Sequence, residues 1–413
     1  MMAIESEAQK SYILAGWFID GSGAAPQNRI LLGMQGGRII SIEPYTGLPD
    51  GATDFTDLSH CSLLPPLVDA HMHLFMSGST CMETRRQQLA ASYDELVPAI
   101  EQHLRYLYTH GVLAARDGGD YGGYAARFKA EQELLPGFQL KVAGRAWRRD
   151  KRYGSLIGRP PASGESLAEA YLRESSQDKS DLVKLVNSGL NSLQVFGKQT
   201  KPQFSRDEIF SLVKAAGKSG RKVMVHANGE EPVRRAIEAG CHSIEHGFFM
   251  GRDNLELMVE KNVVWIPTLY TMKAYAAYCS MEDYPGNPKV VLKNLEHQLD
   301  QLRQARELGV TVALGTDAGS LGVLHGEAMV EEMKLYKKAG YSTVECIRCA
   351  TKNGAELLGI EDYGVLEVGR RATFLVTRGA PAQLPRKLSY LEAIYVDGKP
   401  GEEYHKNPVK HVL

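Results

Sequence analysis

Between residues 65 and 362 the chain alternates apolar runs with amphipathic stretches of helical period, and this alternation restricts the fold more than any other feature. Eight apolar runs begin near Leu67, Val112, Leu140, Leu182, Val223, Ser243, Val263 and Val312. Runs that are apolar on both faces suit parallel strands covered by helices. The helical stretches carry their own boundary signals. Ser92 with Glu95, Ser166 with Glu169, Ser205 with Glu208 and Ser342 with Glu345 form capping boxes. Pro232 suits a first helical position, and Gly111, Gly240 and Gly309 follow helices as stops. Leu292, Leu295, Leu299 and Leu302 give one long helix an apolar face, with His297 expected at the surface. Eight strands with intervening helices predict an α/β fold, a (β/α)8 TIM barrel spanning 65–362.

The flanks read differently. Short β-like runs at 11–15, 29–32 and 38–42, punctuated by glycines, have counterparts at 364–366, 373–377 and 392–398. Each half is too short to bury a core, so the two chain ends, 1–64 and 363–413, are expected to build one composite β-sandwich domain.

Charge narrows the partners. With 48 basic and 49 acidic residues, a formal net charge of -1 and no block of one sign, nothing favours nucleic acid or a membrane surface. A small-molecule substrate is expected, and a homo-oligomer is compatible with the composition. The start, Met1 to Glu7, lacks a basic region followed by an apolar one, and no apolar run approaches about 18 residues, so a cytoplasmic protein is expected. Six scattered cysteines do not suggest a disulfide framework. Cys346 and Cys349 follow the Ser342 capping box and should be buried thiols on one helix.

In a barrel the chemistry sits where strands end, so polar residues that close apolar runs are the candidates. His71 and His73 close the first run and, two apart on a strand, share a face. His226 closes the fifth run, His246 the sixth and Asp317 the eighth, between small residues that allow close approach of a ligand. Lys184 lies inside the fourth run, Val183 to Val186. A buried lysine loses its proton readily, and the neutral amine can take up carbon dioxide as a carbamate able to bridge two metal ions. Together these residues predict a metal site. His60, His103, His110 and His411 are expected on helices and loops, and His242 at the far end of its strand. Arg116 and Asp117 read as a structural ion pair.

In these motifs, Val183-Lys184, Ile244-Glu245-His246 and Gly315-Thr316-Asp317-Ala318-Gly319 beside His71-Met72-His73, the chain resembles the amidohydrolase superfamily, in its imidazolonepropionase-like and prolidase-like branch of dipeptidases and carboxypeptidases. The resemblance implies a binuclear divalent centre, zinc foremost. By motif matching His71 and His73 would hold the more buried metal, Lys184 as a carbamate would bridge, and His226 and His246 would hold the second. Asp317 would ligate the first metal and carry the proton, with a metal-bridging hydroxide attacking an amide of a small polar substrate, a dipeptide or N-acyl amino acid. Deaminases of the superfamily carry a glutamate three residues after the strand-five histidine. Here Gly229 stands there, which disfavours deamination. Cyclic amidases or lactonases share the centre, and a non-catalytic binding homologue is the alternative from another class. Tyr270, His325 and Arg152 are the candidate substrate contacts, Arg152 as part of the basic segment Arg145 to Tyr153.

Overall fold

The computed structural model describes residues 9–279 and 286–404. The strands in chain order are β1 (Ser11–Phe18), β2 (Gln27–Gln35), β3 (Arg38–Pro44), β4 (Phe55–Leu64), β5 (Leu67–Met72), β6 (Val112–Asp117), β7 (Gln139–Val142) and β8 (Ala146–Trp147). They continue with β9 (Gly158–Arg159), β10 (Val183–Val186), β11 (Val223–Ala227), β12 (Ser243–His246), β13 (Val264–Ile266), β14 (Phe374–Arg378), β15 (Ala393–Val396) and β16 (Lys399–Pro400).

The central region is an α/β fold with parallel sheets. One sheet has the order β5-β6-β7 and the other β13-β12-β11-β10-β8-β9, and neighbours within each run parallel. β10, β11 and β12 are buried along their whole length, as strands covered on both faces must be. The two sheets approach at both sides. Asp181 N donates to Val142 O beyond the end of β7 (2.8 Å), and the eighth run lies between β13 and β5. There Ala313 N donates to Trp265 O (3.0 Å) and Ala70 N to Leu314 O (2.9 Å), while Met72 and Ala318 form a parallel bridge. The arrangement is consistent with a TIM-barrel-like domain.

The eighth run forms isolated bridges rather than a regular strand, and the cause is local. Gly315 passes so close to β5 that a Cβ there would sit 2.8 Å from His71 N and 2.6 Å from Ile266 Cγ2. Asp317 then takes φ of 56°, outside the β region.

All four capping boxes form, at the heads of helices Tyr93–Thr109, Leu167–Ser175, Arg206–Gly217 and Thr343–Ala350. Gly309 ends helix Pro288–Leu308 in the left-handed conformation. Pro232 occupies the third rather than the first position of helix Glu230–Glu238, still within the turn whose N–H groups have no helical acceptor. Cys346 and Cys349 are buried on one helix with their thiols pushed up by burial.

Both chain ends contribute to one seven-stranded hydrogen-bonded sheet of order β16-β15-β14-β4-β1-β2-β3. β14 pairs antiparallel with β4, Val376 opposite Leu63, and Ile13, Phe18, Leu32 and Phe374 pack together on it. β4 runs through Pro65-Pro66 into β5, so this sheet sets where the first central strand begins. His60 lies on β4 and not on a helix or loop, whereas His411 and the first seven residues lie outside the described residues. Among the described residues no helix is long and apolar enough to cross a membrane.

β1 pairs with β4 across a register shift at Gly16, where a Cβ would lie 2.8 Å from Ser59 C and closer still to Ser59 O. The backbone of one strand therefore occupies the side-chain space of the other. Gly16→Ala is expected to lower stability by about 1–3 kcal/mol, read as a shifted midpoint of urea unfolding. An unchanged midpoint would show that the two strands yield freely.

Candidate metal centre

The six residues that close or interrupt the strands, His71, His73, Lys184, His226, His246 and Asp317, all line one cavity at the ends of the central strands. His71 is the last residue but one of β5, and His73 follows the strand's end. Their rings stand 5.5 Å apart, and the His246 ring lies 5.0 Å from His71 and 4.7 Å from His226. Asp317 Oδ1 lies 3.4 Å from His71 Nε2 and 3.5 Å from His73 Nε2. His71, His73 and Asp317 each offer one ligand atom within 4.8 Å of the others.

Hydrogen bonds fix which ring nitrogen faces the cavity. His71 Nδ1 is 2.5 Å from Glu245 Oε2 and donates to it, and His73 Nδ1 donates to Gly119 O at 2.7 Å. The lone pairs of both imidazoles therefore sit on Nε2, opposite a carboxylate oxygen that also carries only lone pairs. His71 Nε2 is buried and has no hydrogen-bond partner. Three acceptors facing one another in a buried space repel unless a cation lies among them, so the donor set fits a divalent metal. His226 Nε2 faces Gly189 O at 3.3 Å and His246 Nδ1 faces Thr268 Oγ1 at 2.7 Å, which leaves one nitrogen of each ring for a ligand.

Burial supplies the protonation states that ligation needs. It pushes His73 down to about 4 and His226 down to about 3, with the Lys184 charge adding to the second, and it holds His246 well below the usual imidazole value. Lys184 is 1 % exposed, and burial pushes its amine down to about 8, so the neutral form that carbamate formation requires is within reach near neutral pH.

Behind His71 lies a buried charged chain that the sequence reading missed. Glu245 accepts from His71 Nδ1, from Arg116 Nη2 at 2.9 Å and from Ser243 Oγ at 2.5 Å, while Arg116 also reaches Ala70 O and Ser243 Oγ. Burial opposes the ionisation of Glu245, but Arg116 and His71 overcome it and hold the carboxyl low. The signal was in the sequence. A glutamate inside an apolar strand poses the same question as Lys184. The expected pair of Arg116 with Asp117 does not form, because neighbouring strand residues face opposite sides. Asp117 instead accepts from the backbone N–H of Leu74 and Gly119, at 2.8 Å each. Asp69 accepts from His71 N, Thr316 N and Thr316 Oγ1, tying β5 to the eighth run.

The three expected substrate contacts are not among the residues that line the cavity. Arg152 donates to Lys201 O on the outside of the molecule, because the basic segment turns away after β8. Tyr270 heads helix Tyr270–Tyr278, whose Thr271, Met272 and Tyr275 face the cavity in its place. His325 is 1 % exposed and lies behind His73, with Nε2 3.0 Å from His73 O, because the loop that carries it folds inward rather than over the mouth. Tyr153 and Asn228 do line the cavity, and Tyr153 packs on His226 at 5.2 Å between ring centres. His297 is half-buried, its ring 4.5 Å from that of Phe249, and His242 accepts from Val223 N at the far end of β12.

Comparison with known proteins adds a family. The model described as "Amidohydrolase family" matches residues 62–405. An uncharacterised protein of Mycobacterium tuberculosis is 27% identical over 384 residues, 92% of this chain and 94% of its own. Imidazolonepropionase of Paracoccus denitrificans is 24% identical over 415 residues, 92% and 95% of the two chains. The crystal structure of a Xaa-Pro dipeptidase with methionine in its active site superposes with a TM-score of 0.80 at 27% identity, covering 95% of this chain and all of that one.

Removing Glu245 would strand Arg116, 4 % exposed, without its carboxylate. Glu245→Ala is expected to lower stability by about 3–5 kcal/mol, and Arg116→Met with Glu245→Leu to recover most of that loss. Urea unfolding of the metal-free protein measures both.

Proposed function

The chain belongs to the amidohydrolase family, in its prolidase- and imidazolonepropionase-like branch, and is a hydrolase of carbon–nitrogen bonds; on that premise we propose a metal-dependent amidohydrolase acting on a dipeptide or an N-acyl amino acid. The observation that carries the proposal is the buried, unpartnered Nε2 of His71 facing Asp317 beside His73, with Lys184, His226 and His246 on the same cavity. In this reading the domain around the site is a closed (β/α)8 barrel over 65–362, and residues 1–64 and 363–413 form a composite β domain.

His71, His73 and Asp317 would hold one ion and His226 and His246 the other, with Lys184, as its carbon dioxide adduct, the carboxylate ligand available to both. Imidazole and carboxylate donors suit zinc. The chemistry supplied by bound divalent cations would be a water whose pKa falls from about 15.7 toward about 7 and a polarised carbonyl.

The residues of the chain do the rest. Asp317 faces both Nε2 atoms and is steadied by Ser320 Oγ at 2.9 Å, a position from which its carboxylate receives a proton at Oδ1 and returns it to the leaving nitrogen. Phe75, Met76, Ile157, Leu193, Phe248 and Met272 give apolar walls to a cavity of about 250 Å³. These walls favour a substrate with an apolar side chain or acyl group over the small polar one expected from sequence. Cyclic amides or lactones are the second reading, since the same donor set serves them.

Elemental analysis after removal of loosely bound ions is expected to give about two metals per chain, in line with two-metal hydrolytic sites, and fewer in Lys184→Ala. Chelation should abolish hydrolysis of N-acetyl-leucine or leucyl dipeptides, and added zinc should restore it. Asp317→Asn should keep the fold and lower turnover by about 10²-fold or more. Full turnover in that variant would remove the proton role from Asp317.

A further inference from the structure

Three buried histidines, His103, His110 and His325, stand outside the donor set, and the hydrolytic reading uses none of them. His103, on helix Tyr93–Thr109, and His325, eight residues beyond Asp317, stack face to face with ring centres 4.1 Å apart and planes 13° from parallel. They are 4 % and 1 % exposed. Each gives a ring N–H to a backbone carbonyl, His325 Nε2 to His73 O at 3.0 Å and His103 Nδ1 to Leu74 O at 2.8 Å.

Those carbonyls lie where strand pairing has stopped. β5 ends at Met72, and among the described residues no backbone N–H is recorded donating to His73 O or Leu74 O. A buried carbonyl left without a donor is costly, so the imidazoles supply what the ladder no longer does. Leucine at 103 or 325 would satisfy packing but not these carbonyls.

The bonds also determine where His73 sits relative to Asp317. His73 N donates to Ala318 O at 2.8 Å, and His325 returns from the same segment to hold His73 O. Both backbone groups of His73 are thus bound to the stretch that begins at Asp317, while its Nδ1 is bound to Gly119 O. The 3.5 Å separation of His73 Nε2 and Asp317 Oδ1 follows from this bracing. Metal ligand distances tolerate only about 0.2 Å of error, so a carbonyl free to rotate would misplace the ring.

We propose that His325, supported by His103 stacked on it, is a positioning residue for the metal centre: its Nε2–H clamps the carbonyl of His73 and so sets the geometry of His73 against Asp317. The proposal rests on the metal-centre reading above and adds to it two residues that touch neither metal nor substrate.

The test compares His325→Phe, which keeps an aromatic ring but no donor, with His325→Gln, whose amide nitrogen reaches the place of Nε2. Far-ultraviolet circular dichroism and thermal unfolding of the metal-free proteins establish that each is folded. Zinc affinity is then measured by competition with a chromophoric chelator, and ligand geometry by the visible absorption of the cobalt-substituted proteins. The expected result is a zinc affinity roughly 10- to 100-fold weaker for one site in His325→Phe, an altered cobalt spectrum, and recovery of both in His325→Gln. Should His325→Phe fail to fold, His325→Gln against His325→Asn carries the comparison, because asparagine is too short to reach the carbonyl. Equal zinc affinity and spectra in the phenylalanine variant and the unmodified protein would overturn the proposal. So would equal impairment of the phenylalanine and glutamine variants, which would reduce the pair to packing. An unmodified protein that binds no zinc would instead overturn the metal-centre reading on which the proposal stands.

Discussion

A buried carboxylate shared between an imidazole and a guanidinium holds this molecule's centre together. Glu245 binds His71 on one side and Arg116 on the other, within a region where all three are nearly inaccessible to water. The three residues come from β5, β6 and β12; β5 and β6 pair with each other, and the charged chain links them to β12, which lies in the other sheet and pairs with neither. Burying these charges is expensive, and the expense is offset only while every partner is present. The same contact fixes the His71 tautomer and turns Nε2 toward Asp317. Stability and site geometry therefore depend on one carboxylate.

Around it the backbone is held in conformations that ordinary residues avoid. His246, Thr268 and Asp317 have φ of 67°, 45° and 56°, in the left-handed region; His246 ends β12, Thr268 follows β13 and Asp317 follows the eighth run. Such positions cost on the order of 1–3 kcal/mol each and survive only where surrounding contacts dictate them. Here those contacts are identifiable: Thr268 Oγ1 on His246 Nδ1, Trp265 Nε1 on His246 O, and Asp317 N on His71 O. The positive φ at His246 also explains how Glu245 and His246, adjacent in a strand, both serve one centre. Ser243 and Glu245 point inward together by ordinary alternation, behind His71, and the turn at His246 brings the next side chain to the cavity.

Much of this was legible from residue order. Strand starts near Leu67, Val112, Leu140, Leu182, Val223, Ser243 and Val263 follow from apolar runs, and the observed strands begin within one residue of each. The capping boxes at Ser92, Ser166, Ser205 and Ser342 are local signals and formed as local signals do. The six residues on the cavity were found because each is a polar side chain at a place where an apolar run should have been followed by something harmless. Contacts across the fold were not legible. Arg116 was assigned to its sequence neighbour Asp117 when its partner lies 129 positions away, and His325 was assigned to the mouth of the site when it packs against His103.

The sequence by itself determined which residues are chemically able to bind a metal and which segments are strands and helices, because side-chain type and hydrophobic period are local properties. Only the tertiary structure decided which nitrogen of each imidazole faces the cavity, which charge neutralises which, and which histidines support rather than ligate. Those outcomes depend on hydrogen bonds between segments that only the packing of sheets and helices brings within 3 Å, and no spacing along the chain encodes such a distance.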